Sequence, residues 1–545
     1  VEDKKLFETC EALLAKRSSL LNLWQEISEN FYPERADFTA QRNTGDTFAD
    51  NLTTSYPILM RRDLGNAFSS MLRPVSKEWF YMTVEDENSL DHDAKQWLEQ
   101  VRNVQRRAMY ARSSKFVRAT KEADHDFASF GQCVVSVELN RDASGLLYRC
   151  WHLRDMAWAE NEQGDIGTII RRWKPTVRDL MRFFKGENLH PETVRQANIN
   201  PFEEADIRHI VVEADLVDGN FTTPYVSLYY DAEHFHVIEK VGVNSQIYVI
   251  PRWQTVSGSQ YAFSPATVAA LPDARLLQSL SYTLLEAGEK AANPPMIAVQ
   301  EAIRSDVSIY AGGITWVDAS YDERLGEVLR PLTQDKQGLP AGLEMQRDTR
   351  SMLAEAFFLN KLVMPARGPE MTAYEVGQRV QQYIRDALPL FEPMEEEYNG
   401  AICEATFDLM LRAGAFGSPL DIPSSLRGQN LQFKFESPLH DAIEREKGNK
   451  LIEAQQLMAT TIQLDPAAGA ILNAREALRD VLEGIGVPAK WMRDRGAVEE
   501  IAAQQAQAAA QQQAIASLGE GAEAATKLGT AQQQFQDAST RQAIV

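Results

Sequence analysis

The chain has 545 residues, 44% hydrophobic and 24% charged, with a net charge of −21. This is the composition of a globular protein with ample core material, and at ~150 residues per domain the length implies three to four domains. The acidic excess argues against a protein whose main task is gripping phosphates, because Lys and Arg supply that grip; it is equally compatible with a solubilising surface charge and with a wall that repels nucleic acid, and charge alone does not separate the two.

Residues 2–31 place Phe7, Cys10, Leu14, Arg17, Leu21, Trp24 and Ile27 three or four apart, the spacing of one amphipathic helix. The polar stretch PERADFTAQRNTGD is expected to be an extended loop. A second helix is expected from Tyr56 to just before Pro74, and a third over 91–128, rich in Arg and Lys. The pattern then switches to period two. QCVVSVELN, GLLYRCWHL and GTIIRRWKP read as strands separated by DASG and NEQGD turns. After a short helix at VRDLMRFF, strands resume at DIRHIVVEADLV, YVSLYYD, HFHVIEKVG and QIYVIPRWQ. Links this short favour antiparallel pairing, since parallel strands need long crossovers. Residues 130–255 therefore read as one β-rich module.

Helical spacing returns after Ser264. Over 264–291, Leu277, Leu280, Leu284, Ala287 and Ala291 form a 3-4 seam suited to packing on another helix, ~40 Å long at ~1.5 Å per residue. Asn293-Pro294-Pro295 stops it. Two strand-like pieces, MIAVQEA and GGITWVDA, occupy the stretch to about 335. A helix over 341–363 is expected to bury Met345, Thr349, Met352, Ala356, Leu359 and Val363. The loop MPARGPEM leads into a long helix from Thr372 to about Ala413, kinked where Pro389 and Pro393 fall. A short strand, LQFKFES, precedes helices from His440 to Arg495. From Ala497 onward, 15 Ala and 11 Gln in 49 residues favour a further helix.

No run of apolar residues is long enough for a membrane span, and the charged N-terminal stretch does not read as a signal peptide. Cys10, Cys133, Cys150 and Cys403 show no CxxC spacing and read as buried thiols of a reducing compartment. No phosphate-binding loop, dinucleotide fingerprint, zinc-protease motif, hydrolase elbow or calcium loop occurs, so ATP-driven work is not expected. His234 and His236 share one face of an expected strand near Asp231, without a closed ligand set. Glu395, Glu396 and Glu397 point in different directions on a helix and read as a solvated face. Arg102, Arg106, Arg107, Arg112, Lys115, Arg118 and Lys121 form a basic run. It reads as an ordinary charged face meeting acidic neighbours. Neither a cofactor nor a metal is expected.

Several stretches, taken in order, resemble the portal or head-to-tail connector proteins of short-tailed double-stranded DNA phages. NLTTSYPILMRRDLGNAFSSMLRPVSKEWFYM resembles that family's early helix and the turn after it. FASFGQCVVSVE resembles the entry to the wing sheet. SPATVAALPDARLLQSLSYTLLEAGEKAANPP resembles the first stem helix, MTAYEVGQRVQQYIRDALPLFEPMEEEY the helix after the tunnel loop, and FESPLHDA the return to the wing. The resemblance spans about residues 1–495 and rests on the ordered set of stretches.

The resemblance implies an α+β fold with helical stem, β-rich wing and clip, helical crown and a C-terminal helical barrel, assembled as a ring of typically twelve subunits. Its divisions would be a wing at 1–263, a first stem helix at 264–295, a clip at 296–335 and a second stem helix at 336–363. A tunnel loop at 364–371, a wing return with the kinked helix at 372–439, a crown at 440–496 and an Ala/Gln-rich barrel or tail at 497–545 complete it. Lys361, Met364, Arg367, Gly368 and Glu370 are the candidates for facing DNA in the channel. The implied partners are duplex DNA, the terminase motor, major capsid and scaffolding proteins, tail adaptors and internal core proteins, with no membrane. The implied location is the portal vertex of a virion assembled in a bacterial cytoplasm. Two other readings compete. One is a virion assembly or adaptor protein without a channel, disfavoured by the β-rich module and paired long helices. The other is a packaging ATPase, disfavoured by the missing phosphate loop.

Overall fold

A computed structural model of the protein describes residues 3–43, 45–47, 49–50, 52–75, 78–85, 90–184, 188–292, 296–298, 329–331, 338–359 and 394–435. Beyond these it describes 448, 450–459, 473–484, 487, 491–493, 496, 498–505, 507–508, 510–511 and 530. They fall in two units. One holds 1–83, 101–419 and 431–443; the other holds 84–100, 420–430 and 444–545.

The expected first helix is two helices, α1 (Asp3–Lys16) and α2 (Ser18–Phe31). The break falls at Arg17, one member of the seam. Its guanidinium is buried and donates to the carbonyls of Leu153 (2.6 Å), Arg154 and Met156. No Gly or Pro marks the place, because the break serves this distant contact. The rest of the seam is as spaced: Phe7, Cys10, Leu14, Trp24 and Ile27 are buried. The polar loop contains a 3-10 turn, Pro33–Arg35, and sends Phe38 into the core beside Trp24.

Helix α3 (Tyr56–Leu72) matches its expected bounds and leads to β1 (Phe80–Val84). The expected helix over 91–128 is likewise split, into α4 (His92–Met109) and α5 (Phe116–Phe130). Between them Ser114 Oγ bonds back to the carbonyls of Met109 and Ala111, and Lys115 adopts a left-handed backbone, φ 59°. The Ser114 carbonyl is then free to accept the Tyr148 amide at 2.8 Å, which fastens the turn to a strand. Two ion pairs tie this helical layer: Arg73 with Asp124, buried on both sides, and the half-buried Arg35 with the buried Asp126 (2.6 Å).

The β-rich module holds β2 (Val135–Leu139), β3 (Leu146–Cys150), β4 (Met156–Glu160), β5 (Ile166–Trp173), α6 (Val177–Phe183), α7 (Pro191–Ile199), β6 (Ile207–Glu213), β7 (Tyr225–Asp231), β8 (His236–Val243) and β9 (Tyr248–Val249). β4 and α7 are additions to the expected elements. The main sheet has the order β4-β5-β6-β7-β8, and every pairing in it is antiparallel, as short links require. A smaller sheet has the order β3-β2-β9. Side-chain alternation sorts the main sheet's faces. Ile210, Val212, Val226, Leu228 and Tyr230 meet Phe7, Cys10 and Leu14 of α1. Ile207, Tyr229 and Ile238 meet Val177, Leu180 and Phe184 from the other side. Because both faces are covered, β6 reads as a nearly continuous buried run.

Next come α8 (Pro265–Ala292), β10 (Met296–Ala298), β11 (Leu329–Pro331) and α9 (Gly338–Ala356), with β10 and β11 paired antiparallel. GGITWVDA and the expected kink at Pro389 and Pro393 lie outside the described residues. After them comes a π-helical turn, Glu395–Gly400, continuing as α10 (Ala401–Arg412). β12 (Leu431–Phe435) pairs with β1, joining positions some 350 residues apart in sequence.

In the second unit Asp91 caps α4, accepting the Ala94 amide at 2.8 Å and the Ser425 hydroxyl at 2.9 Å. Residues 450–459 are helical, as are α11 (Ala474–Gly484) and 498–505. Past His440 the described stretches 450–459, 474–484 and 498–505 are helical as expected, while 473, 487 and 491–493 are not α-helical.

Candidate functional site

The long pair α8 and α9 is seated on the end of α5. Ser264 Oγ donates to the Ala128 carbonyl (2.8 Å) and Thr267 Oγ1 to the Ser129 carbonyl (2.7 Å), fixing the start of α8 on the end of α5. Gly131, at φ 71°, lets this approach happen, since a Cβ there would lie 2.1 Å from the Phe263 carbonyl carbon. About two to three turns further along, Arg275 pairs with Glu26, and Gln278 Oε1 accepts the Thr53 and Thr54 amides at 2.8 and 3.0 Å.

α9 runs antiparallel to α8. Gly342 abuts Leu284, where a Cβ would stand 2.8 Å from Cδ2, and Gln346 Nε2 donates to Ser281 Oγ at 3.0 Å. The seam expected on α8 is therefore the one that packs. On α9 the expected face holds only in part: Thr349 is buried and Ala356 and Leu359 are half-buried. Thr349, Leu353 and Phe357 are buried, with Phe357 against Phe31, whereas Met345 and Met352 face outward. Gln346, Leu353 and Phe357, each one residue on from an expected position, supply the rest of the seam, so the true face is displaced from the one read from spacing. The helix also ends early, turning at Phe358 with φ 56°. Val363 lies outside the described residues.

The surface left uncovered on this pair includes several large apolar side chains beside charged ones such as Glu286, Lys290, Glu344 and Arg347. Tyr282 is 61% exposed, Leu285 60% and Met352 55%, with Leu343 and Met345 nearly as open. Exposed side chains of this size, gathered on two adjacent helices, point to a surface that another macromolecule covers. The sequence signal was present in Tyr282 and Leu285, three apart and off the seam, but only the packing of the opposite face shows that they are left over.

The five candidates for facing DNA, Lys361, Met364, Arg367, Gly368 and Glu370, lie outside the described residues. The structure describes the chain up to 359 and again from Met394. The histidine pair is rearranged. β8 begins at His236, and Phe235 takes a left-handed φ of 52°. His234 sits in the turn, bonded to Asp231 at 3.0 Å and stacked on His190 at 4.3 Å. Among the described residues no group of three or more His, Cys, Asp or Glu is placed to hold a metal. Glu396 and Glu397 are exposed, and Glu397 accepts the Arg252 amide at 3.0 Å. All four cysteines are free thiols, and burial pushes the Cys10 thiol up to about 12. A cavity of about 590 Å³ beside Arg17 is lined by Asp37, Trp151, Arg154, Arg172 and Trp173, with no Ser, Cys or His in its wall. Arg154 there is paired with Asp37 and Asp155.

Comparison with known proteins follows the same line. The family described as bacteriophage head to tail connecting protein matches residues 3–492. The probable portal protein of Bordetella phage BPP-1 is 25% identical over 99% of this chain and 97% of its own length. The portal protein of Salmonella phage epsilon15 is 21% identical over 94% and 93%. A solved assembly titled the neck of an empty gene transfer agent particle aligns over 80% of this chain and 90% of its own, at 10% identity and a TM-score of 0.36. With a mixed helix-and-sheet fold and a family match over almost all of its length, the chain belongs to the bacteriophage head-to-tail connecting proteins, structural portal components of the phage particle and not enzymes.

Proposed function

We propose that copies of this chain close into a ring, typically of twelve, around a channel through which double-stranded DNA enters the capsid and later leaves it. The observation that carries this reading is the set of large apolar side chains left uncovered on α8 and α9. A neighbouring copy meeting it with a different face makes a heterologous contact, and such contacts close into rings when their rotation permits. In this arrangement α8 and α9 are the stem, the β-rich module is the wing, 296–335 the clip, 440–496 the crown and 497–545 a barrel or tail. The segment 364–371 is the tunnel loop, with Lys361, Met364, Arg367, Gly368 and Glu370 toward the DNA. The overall charge of −21 suits a wall that duplex DNA does not adhere to. The clip end docks the terminase motor during packaging and tail adaptors afterward. The outer surface meets the major capsid, scaffolding and internal core proteins at one vertex, after assembly in the host cytoplasm.

Native mass spectrometry and electron microscopy of the purified protein test the ring directly. Tyr282→Glu with Leu285→Glu is expected to leave the secondary structure intact by circular dichroism while abolishing rings. Rings of normal stoichiometry in that variant would remove these side chains from the interface.

A further inference from the structure

Between Glu99 and Glu122 the chain carries seven cations and no acid, in a molecule with 77 acidic residues against 56 Lys and Arg. An ordinary charged face would meet acids of its own chain, and the structure separates the residues that do from those that do not. Arg102 is buried 2.8 Å from Glu78, Arg106 donates to the Val75 carbonyl at 2.8 Å, and Arg118 holds Glu122 at 3.0 Å. Among the described residues Arg107, Arg112, Lys115 and Lys121 make no ion pair, and all four are exposed.

These cations sit on a rigid corner. The α4–α5 turn is tied to β3 through the Ser114 carbonyl, and the buried Phe116 ring packs on Tyr110 (5.3 Å) and Tyr148 (5.0 Å). Lys115 and Lys121 lie six residues apart at the start of α5, spanning ~9 Å at ~1.5 Å per residue. A duplex presents one charge per ~1.7 Å of its axis, so that span faces several phosphates at once. Between 107 and 121, among the described residues, the corner exposes one large apolar side chain, Val117. A stable protein interface needs an apolar centre that this surface lacks, whereas phosphate contact needs only placed cations.

We propose that the α4–α5 corner is a contact surface for the phosphate backbone of duplex DNA, set apart from the channel segment 364–371. It rests on the connector reading in that DNA is the polyanion such a protein meets. An acidic molecule with one corner where exposed cations outnumber acids can repel the duplex over most of its surface and hold it at one place.

The test uses the purified full-length protein and a labelled duplex of about 30 base pairs, with binding followed by fluorescence anisotropy from about 50 to 200 mM salt. The variant carries R107Q, R112Q, K115Q and K121Q, all exposed, so folding is expected to survive. Circular dichroism checks this, and single-site K115Q and K121Q variants serve if the fourfold variant misfolds. Affinity at low salt is expected to fall at least about tenfold, with the slope of log K against log salt flattened by about 3 to 4. Unchanged affinity and slope overturn the proposal, as does absence of DNA binding by the parent protein at low salt. Native mass spectra run in parallel. If the variant loses association between copies while its DNA binding is unchanged, the corner is a protein contact and the proposal fails. If the parent protein forms no rings, the ring reading fails, while the anisotropy result still decides the corner.

Discussion

Arg17 shows how much one side chain can decide. Its fork satisfies three backbone carbonyls, and burial lowers its pKa to about 10 while leaving it cationic at neutral pH. Replacing it with Met would keep the stem's bulk but strand those carbonyls, so a loss of about 3 kcal/mol is expected, measurable as a lower unfolding midpoint in urea. His125 offers a pH-dependent counterpart. Burial first, and then the Arg61 guanidinium 3.1 Å from Nδ1, hold its pKa down to about 4. Between pH 6.5 and about 4 the unfolded chain takes up a proton that the folded chain refuses. Stability is therefore full above 6.5 and falls as the pH drops through that window. Discounted for partial exposure, the loss at pH 5 is about 1 kcal/mol. Melting curves at pH 7 and 5 should show a larger drop for the native chain than for His125→Gln, and equal drops would refute the assignment.

The elements show where pattern reading holds and where it slips. The period-two stretches became antiparallel strands because a strand's alternation is set by its own backbone geometry. The helix breaks at Arg17 and at 110–115 were not legible, since each is made by a carbonyl or guanidinium contact with residues far along the chain. The phase of α9 is the sharpest case. Leu353 is fully buried while its neighbour Met352 is 55% exposed. Leu353→Ala is expected to cost about 3 kcal/mol and Met352→Ala under about 0.5 kcal/mol, compared by thermal melts of the two variants. Similar costs for both would restore the face read from spacing. The π-helical turn at Glu395–Gly400 likewise has no sequence mark. It brings Tyr398 and Asn399 into the core, where Asn399 Oδ1 takes a bond from Arg73 at 2.6 Å.

For the whole molecule, assembly should rest on the regions that present apolar surface. The Ala/Gln-rich stretch offers little of it, because Ala buries few atoms. A chain ending at Arg495 is expected to form the same rings as the full one, judged by native mass. Failure to assemble would make the C-terminal stretch part of the interface. The family match ends at residue 492, close to where the composition changes.

The sequence by itself determined the α+β class, the antiparallel wing-like module, the two long helices and membership of the connector family, which was read from ordered stretches. These are properties of local periodicity and of chain order, and both survive without knowledge of the fold. Tertiary structure alone decided which of the seven cations between Glu99 and Glu122 are consumed inside the chain and which stay free. It alone decided which face of α9 is core, and that β1 closes on β12 across most of the sequence. Those outcomes depend on what lies opposite each residue, and a linear pattern carries no record of its opposite partner.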